Sequence, residues 1–116
     1  KVRYIEAPDG LEQRMRHYTG SVVFDRSGAF LAVSSPVGGV VGLWETTSGR
    51  FVRDLPARDA SGLAATDRAG TYLLTGGDGS IRTISASRGD YEELKPADPT
   101  VMWDNHLAAR GLPLSA

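Results

Sequence analysis

Glu45-Thr46-Thr47-Ser48-Gly49 decides the fold, because it has a counterpart on either side. Upstream stands Glu6-Ala7-Pro8-Asp9-Gly10, and downstream stands Ser85-Ala86-Ser87-Arg88-Gly89. From Gly10 to Gly49 is 39 positions, and from Gly49 to Gly89 is 40. A second turn, Asp25-Arg26-Ser27-Gly28, returns 42 positions later as Asp67-Arg68-Ala69-Gly70. The closing glycines supply the positive φ that tight turns require. Between the turns lie short runs rich in β-branched and aromatic residues, as strands are.

A repeat of about 40 residues carrying four short strands is the pattern of β-propeller blades. The fold class expected is therefore all-β, with about two and a half four-stranded antiparallel blades. Residues 1–17 read as a half blade, with strands near 2–6 and 11–17. Residues 18–56 read as a complete blade with strands at 21–24, 29–34, 40–45 and 50–55. Residues 57–95 repeat the order at 61–65, 71–75, 80–85 and 90–94. Apolar residues recur in phase: Phe30 with Tyr72, Leu31 with Leu73, Trp44 with Ile84, Phe51 with Tyr91. The tail, 96–116, breaks the pattern and reads as the start of a further blade or a short helix from Asp104. Two and a half blades cannot close a ring, so the chain is expected to be part of a larger propeller, the alternative being a ring completed by another copy. Its open edge strands would be able to pair with one another.

Composition narrows the function classes. The 116 residues suffice for one domain, and a net charge of −1 recruits neither nucleic acid nor an anionic membrane. Arg14, Arg16 and His17 form a small basic cluster that one solvated strand face would carry. With no cysteine, disulfides, thiolate metal sites and thiol nucleophiles are excluded from this stretch. No apolar run approaches the roughly 18 residues of a membrane span.

Trp44-Glu45 stands where WD-repeat blades carry Trp-Asp, and Asp25-x-x-Gly28 resembles the turn into their second strand. A second resemblance covers nearly the whole chain. It is carried by Tyr18-Thr19-Gly20-Ser21, by Ser34-Ser35-Pro36-Val37-Gly38-Gly39 and by Asp59-Ala60-Ser61-Gly62-Leu63-Ala64. Its most specific string is Trp103-Asp104-Asn105-His106-Leu107. These segments resemble the C-terminal part of a bacterial family of exported, propeller-like proteins without an established function. Members of that family often carry twin-arginine signals, and their genes lie near those of imelysin-type iron-uptake proteins. The resemblance implies a periplasmic location and a role near iron acquisition.

In an up-and-down meander, successive turns alternate between the two ends. The tight turns share one end, and the looser connections at 18–20, 35–39, 56–60, 76–79 and 96–100 share the other. Longer loops on a rigid scaffold are where binding groups gather. That places Tyr18, Thr19, Ser35, Asp59, Ser61 and Asp78 as candidate contacts to a ligand or protein partner. For Asp59 and Ser61 a capping or loop-fixing role stands ahead of ligand contact. Gly76-Gly77-Asp78-Gly79 reads as a hairpin connection, because Asp-Gly favours a type I′ turn and no helix or Lys-Ser/Thr pair completes a P-loop.

His106 and Asp104, two apart on an extended strand, would face the same way and could hold a metal. A structural role for His106, hydrogen-bonded to backbone, stands beside that reading. Gly-x-Ser-x-Gly does not occur, and no serine has a sequence-evident base. Two functions follow. The first is a non-catalytic periplasmic module binding a protein partner or small ligand. The alternative is a metal- or haem-binding protein, or a propeller-type enzyme, with its site near His106 and iron or haem as the cofactor class. Convergence of His17, Asp59 and His106 would favour the alternative.

Overall fold

The computed structural model describes residues 2, 4–101 and 103. Its elements run in the order α1 Leu11–Arg14, β1 Ser21–Phe24, β2 Phe30–Ser35, β3 Val40–Glu45 and β4 Phe51–Pro56. They continue with β5 Ala60–Ala65, β6 Thr71–Gly76, β7 Ile81–Ser85 and β8 Tyr91–Lys95. The strands form two four-stranded antiparallel sheets in sequential order, β1 to β4 and β5 to β8. Every pairing is a meander hairpin, which follows from connections too short to cross a sheet. All eight strands lie within a residue or so of the positions expected from the repeat.

The N-terminal expectation fails. No strand occurs over the described residues before Leu11, and the expected strand at 11–17 is the helical turn α1. Leu11 and Met15 are the reason. They are four apart, so a helix puts both on one face, whereas a strand with its period of two would interrupt them with Gln13. Arg14 N–H donates to Gly10 O at 3.0 Å, and Met15 N–H donates to Leu11 O at 2.9 Å. Gly10, at φ 81, turns the chain into the helix, and left-handed Arg16 and His17 (φ 53 and 56) end it.

The two sheets bury a common core. From the first come Ala32, Val41, Leu43 and Leu55, and from the second Leu63, Tyr72, Leu74 and Ile84. Each fully buried aliphatic side chain contributes about 1.5–3 kcal/mol. Register shows which faces meet. Across the first sheet Val23, Ala32 and Leu43 form one row; across the second Leu63 pairs Leu74 and Tyr72 pairs Ile84. β5 packs on β1 and β2.

A second, smaller core sits on the far face of the first sheet. Leu11 of α1 and Met15 at its C-cap cover Val33, Val40 and Trp44. The N-terminal segment is tied there by three bonds. Trp44 Nε1–H donates to Glu6 O at 2.7 Å, Phe51 N–H to the Glu6 carboxylate at 2.7 Å, and Glu6 N–H to Gly49 O at 2.7 Å. Trp44 meets Phe51 edge to face, with ring centroids 5.3 Å apart.

The tight-turn end is fastened by a buried carboxylate. Asp25 is 4 % exposed, and its oxygens accept from Ser27 N–H, Ser27 Oγ, Phe30 N–H and Gly70 N–H. The bond to Gly70, 2.7 Å long, crosses from one sheet to the other. Burial pushes this carboxyl up, but the Ser27 hydroxyl and the three N–H groups outweigh it and hold Asp25 below the usual value. The repeat is offset here by one residue. Asp25 N–H closes its hairpin on Phe30 O as Thr66, not Asp67, closes the next on Thr71 O. Asp67 is exposed.

Candidate functional site

The looser connections meet at one end of the two sheets, held by a relay of backbone and hydroxyl bonds. Ser35 Oγ donates to Met15 O at 2.8 Å, joining α1 to the loop after β2. Ala57 N–H donates to Gly39 O at 2.7 Å, and Gly77 N–H donates to Asp59 O at 3.0 Å. Asp98 N–H donates to Asp78 O at 2.8 Å, and Trp103 Nε1–H donates to Gly79 O at 3.1 Å. Gly79 needs both its φ of 86 and its missing side chain, since a Cβ there would lie 2.7 Å from Asp98 O.

The six candidate residues divide into three groups. Asp59, Ser61 and Asp78 gather around the Gly76–Gly79 hairpin. Asp59 adopts φ 51, a left-handed conformation uncommon outside glycine, and its carbonyl accepts from both Gly77 N–H and Ser61 Oγ. Ser61 is buried. Asp78 Oδ1 accepts from Ser80 N–H at 3.0 Å and Ser80 Oγ at 2.6 Å, the Asx geometry of a hairpin. Burial raises the Asp78 carboxyl, and the Ser80 bonds, with Arg82 and Arg58 nearby, bring it below its usual value. Arg82 lies 3.8 Å from Asp78 and stacks over Tyr91 at 5.4 Å from the ring centroid.

Ser35 forms the second group, with Ser34. Both are fully buried, and Ser34 Oγ donates to Ser61 O at 2.6 Å across the sheets. Tyr18 and Thr19 form the third group, in a separate apolar groove on the far face of the first sheet. This groove, about 540 Å³, is lined by Ile5, Leu11, Met15, Tyr18, Val22, Leu31, Val33 and Trp44 among others, with Glu12 and His17 at its rim. His17 Nδ1 is 3.1 Å from Glu12 Oε1, both side chains exposed. Asp104 and His106 lie outside the described residues.

Sequence reasoning missed a shallow polar cleft beside the loops. It holds about 620 Å³ and is lined by Gln13, Arg14, Arg16, Gly38, Gly39, Val40, Asp54 and Pro56. Arg14 donates through Nε and Nη2 to Asp54 Oδ2 at 3.0 and 2.6 Å. The basic cluster therefore sits on α1 and its exit rather than on a strand face. The Leu11–Met15 spacing was the signal that would have found it, because it makes 11–15 helical and turns Arg14 toward β4.

Ser34, Ser35 and Ser61 spend their hydroxyls on backbone carbonyls, and among the described residues no three His, Asp or Glu gather as metal ligands. The arrangement offers fixed loops, a paired guanidinium, the exposed Arg16 in the cleft, and the exposed Arg58 in the loop after β4, its Nε 3.9 Å from Asp59 Oδ2. No helix among the described residues is long and apolar enough to cross a membrane. None of the curated proteins matches this chain. The profile of one family spans residues 1–110, and by that match the chain belongs to the family described as Protein of unknown function (DUF1513).

Proposed function

We propose that the two sheets are consecutive blades of a WD-repeat-like β-propeller, and that the chain is a non-catalytic binding module. Its binding face is the loop end, its compartment the periplasm, and its setting iron uptake. The occupant is a protein partner or a small ligand carrying acidic groups. The supporting observation is the meeting of α1, the loop after β2 and the end of β4 around the cleft of Arg14, Arg16 and Asp54, with the loop after β4 bonded to Gly39 O through Ala57 N–H and to the loop after β6 through Asp59 O and Gly77 N–H. Backbone bonds fix those loops, so polar groups are presented at low ordering cost, which favours tight recognition. The blade reading is supported by equal strand counts, equal order and matching registers in the two sheets.

The test is capture from a periplasmic extract with the immobilised chain. Double substitution of Arg16→Glu and Arg58→Glu at the loop end should abolish capture. Arg26→Glu with Arg68→Glu, at the tight-turn end, should leave it intact. The opposite pattern would move the binding face. Iron or haem bound by the wild type and lost in His106→Ala would replace this reading with the metal-binding alternative.

A further inference from the structure

We infer that the polar cleft between α1 and β4 takes a sugar acid, a small molecule with one carboxylate and neighbouring hydroxyls. This rests on the loop-end reading and names the ligand class for it.

The walls of the cleft come from residues 13–56, and they are fastened to one another. Ser35 Oγ donates to Met15 O at 2.8 Å and accepts from Gly38 N–H at 3.2 Å, which joins the loop after β2 to the end of α1. Gly38 lies so close to that helical turn that a Cβ on it would stand 2.7 Å from Met15 Cα and collide with Arg14 O. Arg14 reaches β4 through its two bonds to Asp54 Oδ2. Arg16 is set by a left-handed backbone, φ 53, and its N–H donates to Gln13 O at 3.0 Å. The polar groups are thus placed in advance, and little ordering cost is left for binding.

The chemistry of those groups names the ligand. Two guanidinium groups against one carboxylate leave the cleft a single net positive charge, the complement of a monoanion. A second carboxylate on the ligand would meet Asp54. Arg16, exposed, presents the planar fork that pairs a carboxylate. Both Arg14 bonds land on Oδ2, so Asp54 Oδ1 accepts no hydrogen bond among the described residues. An ionised Oδ1 calls for a donor on the ligand. With Arg14 seated on the same carboxylate, an ammonium group would be repelled there, whereas a neutral hydroxyl is not. Gln13 adds an amide that both donates and accepts, as hydroxyl groups require. Pro56, exposed at the edge of the cleft, offers an apolar surface to the C–H face of a sugar ring. One carboxylate and several hydroxyls on a ring is the composition of a uronic acid.

Isothermal titration calorimetry of the chain with D-glucuronate, D-glucose and acetate tests this. D-Glucuronate should bind with a Kd of about 1 mM or below, and the two others at least about tenfold more weakly. Arg16→Gln should weaken D-glucuronate at least about tenfold, with Gln13→Ala as a second variant. Far-ultraviolet circular dichroism checks that both remain folded. Asp54→Ala removes the acceptor and frees Arg14, so its preference for D-glucuronate over acetate should disappear. A folded wild type that binds no D-glucuronate overturns the inference. So does acetate binding as tightly, which would be a bare anion site, and so does an unchanged affinity in Arg16→Gln. The loop-end reading fails separately, when capture from the extract ignores Arg16→Glu with Arg58→Glu.

Discussion

Replacing Asp25 removes a side chain that bonds both the β1–β2 and the β5–β6 hairpins at the tight-turn end. Asp25→Ala deletes four accepted bonds, from Ser27 N–H, Ser27 Oγ, Phe30 N–H and Gly70 N–H. A hydrogen bond to a charged group is worth about 1.5–3 kcal/mol, and the alanine variant regains the cost of burying the carboxylate. The cross-sheet bond and one local bond surviving that offset give a net loss of about 3 kcal/mol. For a domain of this size that lowers Tm by roughly 10–15 °C. Asp25→Asn keeps the shape but turns an amide N–H₂ toward N–H donors, so about 2 kcal/mol is lost. The pH dependence separates charge from shape. Asp25 titrates lower folded than unfolded, where a carboxyl sits near 3.8. Its contribution is therefore complete above that value and disappears as pH falls through the lower, folded one. Urea unfolding at a series of pH values from 7 to 2 measures both variants. The wild-type advantage over Asp25→Asn should shrink through the acid limb. The reasoning is refuted if Asp25→Asn unfolds within about 0.5 kcal/mol of wild type at neutral pH, the range of an ordinary surface change.

Tyr72→Phe should stabilise the chain by about 1 kcal/mol, read as a higher urea midpoint, because the buried hydroxyl has no hydrogen-bond partner among the described residues. Burial and the nearby Asp25 carboxylate raise its pKa, and the Asp25 N–H that approaches it is spent on Phe30 O. Gly79→Ala should cost roughly 1–3 kcal/mol in the same assay, since it forces a side chain into a left-handed residue crowded by Asp98 and Val101 carbonyls. A neutral result would show that the 98–101 loop is not packed on the hairpin.

Strand positions were legible because turn glycines and β-branched runs repeat at one spacing, and local chemistry alone decides them. Gly76–Gly79 read correctly as a hairpin for the same reason: Asp78 bonds Ser80 two residues away. What was not legible depended on partners far along the chain. Arg14 and Asp54 are 40 residues apart, and nothing local marks them as a pair. Asp25 read as a plain turn residue, because its bond to Gly70 exists only once two sheets stack. Loop order groups Tyr18 and Thr19 with Asp59, but α1 directs them into the groove. The Leu11–Met15 spacing was visible, and the repeat pattern overrode it.

The Asp25 clamp has a consequence for how firmly successive sheets are joined. The one-residue offset puts Thr66 at the position of Asp25 in the second sheet. Thr66 carries no charge, and its hydroxyl lies 3.2 Å from Thr71 O within its own hairpin. A sheet stacked beyond β5–β8 would meet the Thr66 hydroxyl where the existing junction has the Asp25 carboxylate. The junction between β1–β4 and β5–β8 is thus riveted by an anion, and a junction made in the same way by the far face of β5–β8 would lack that rivet.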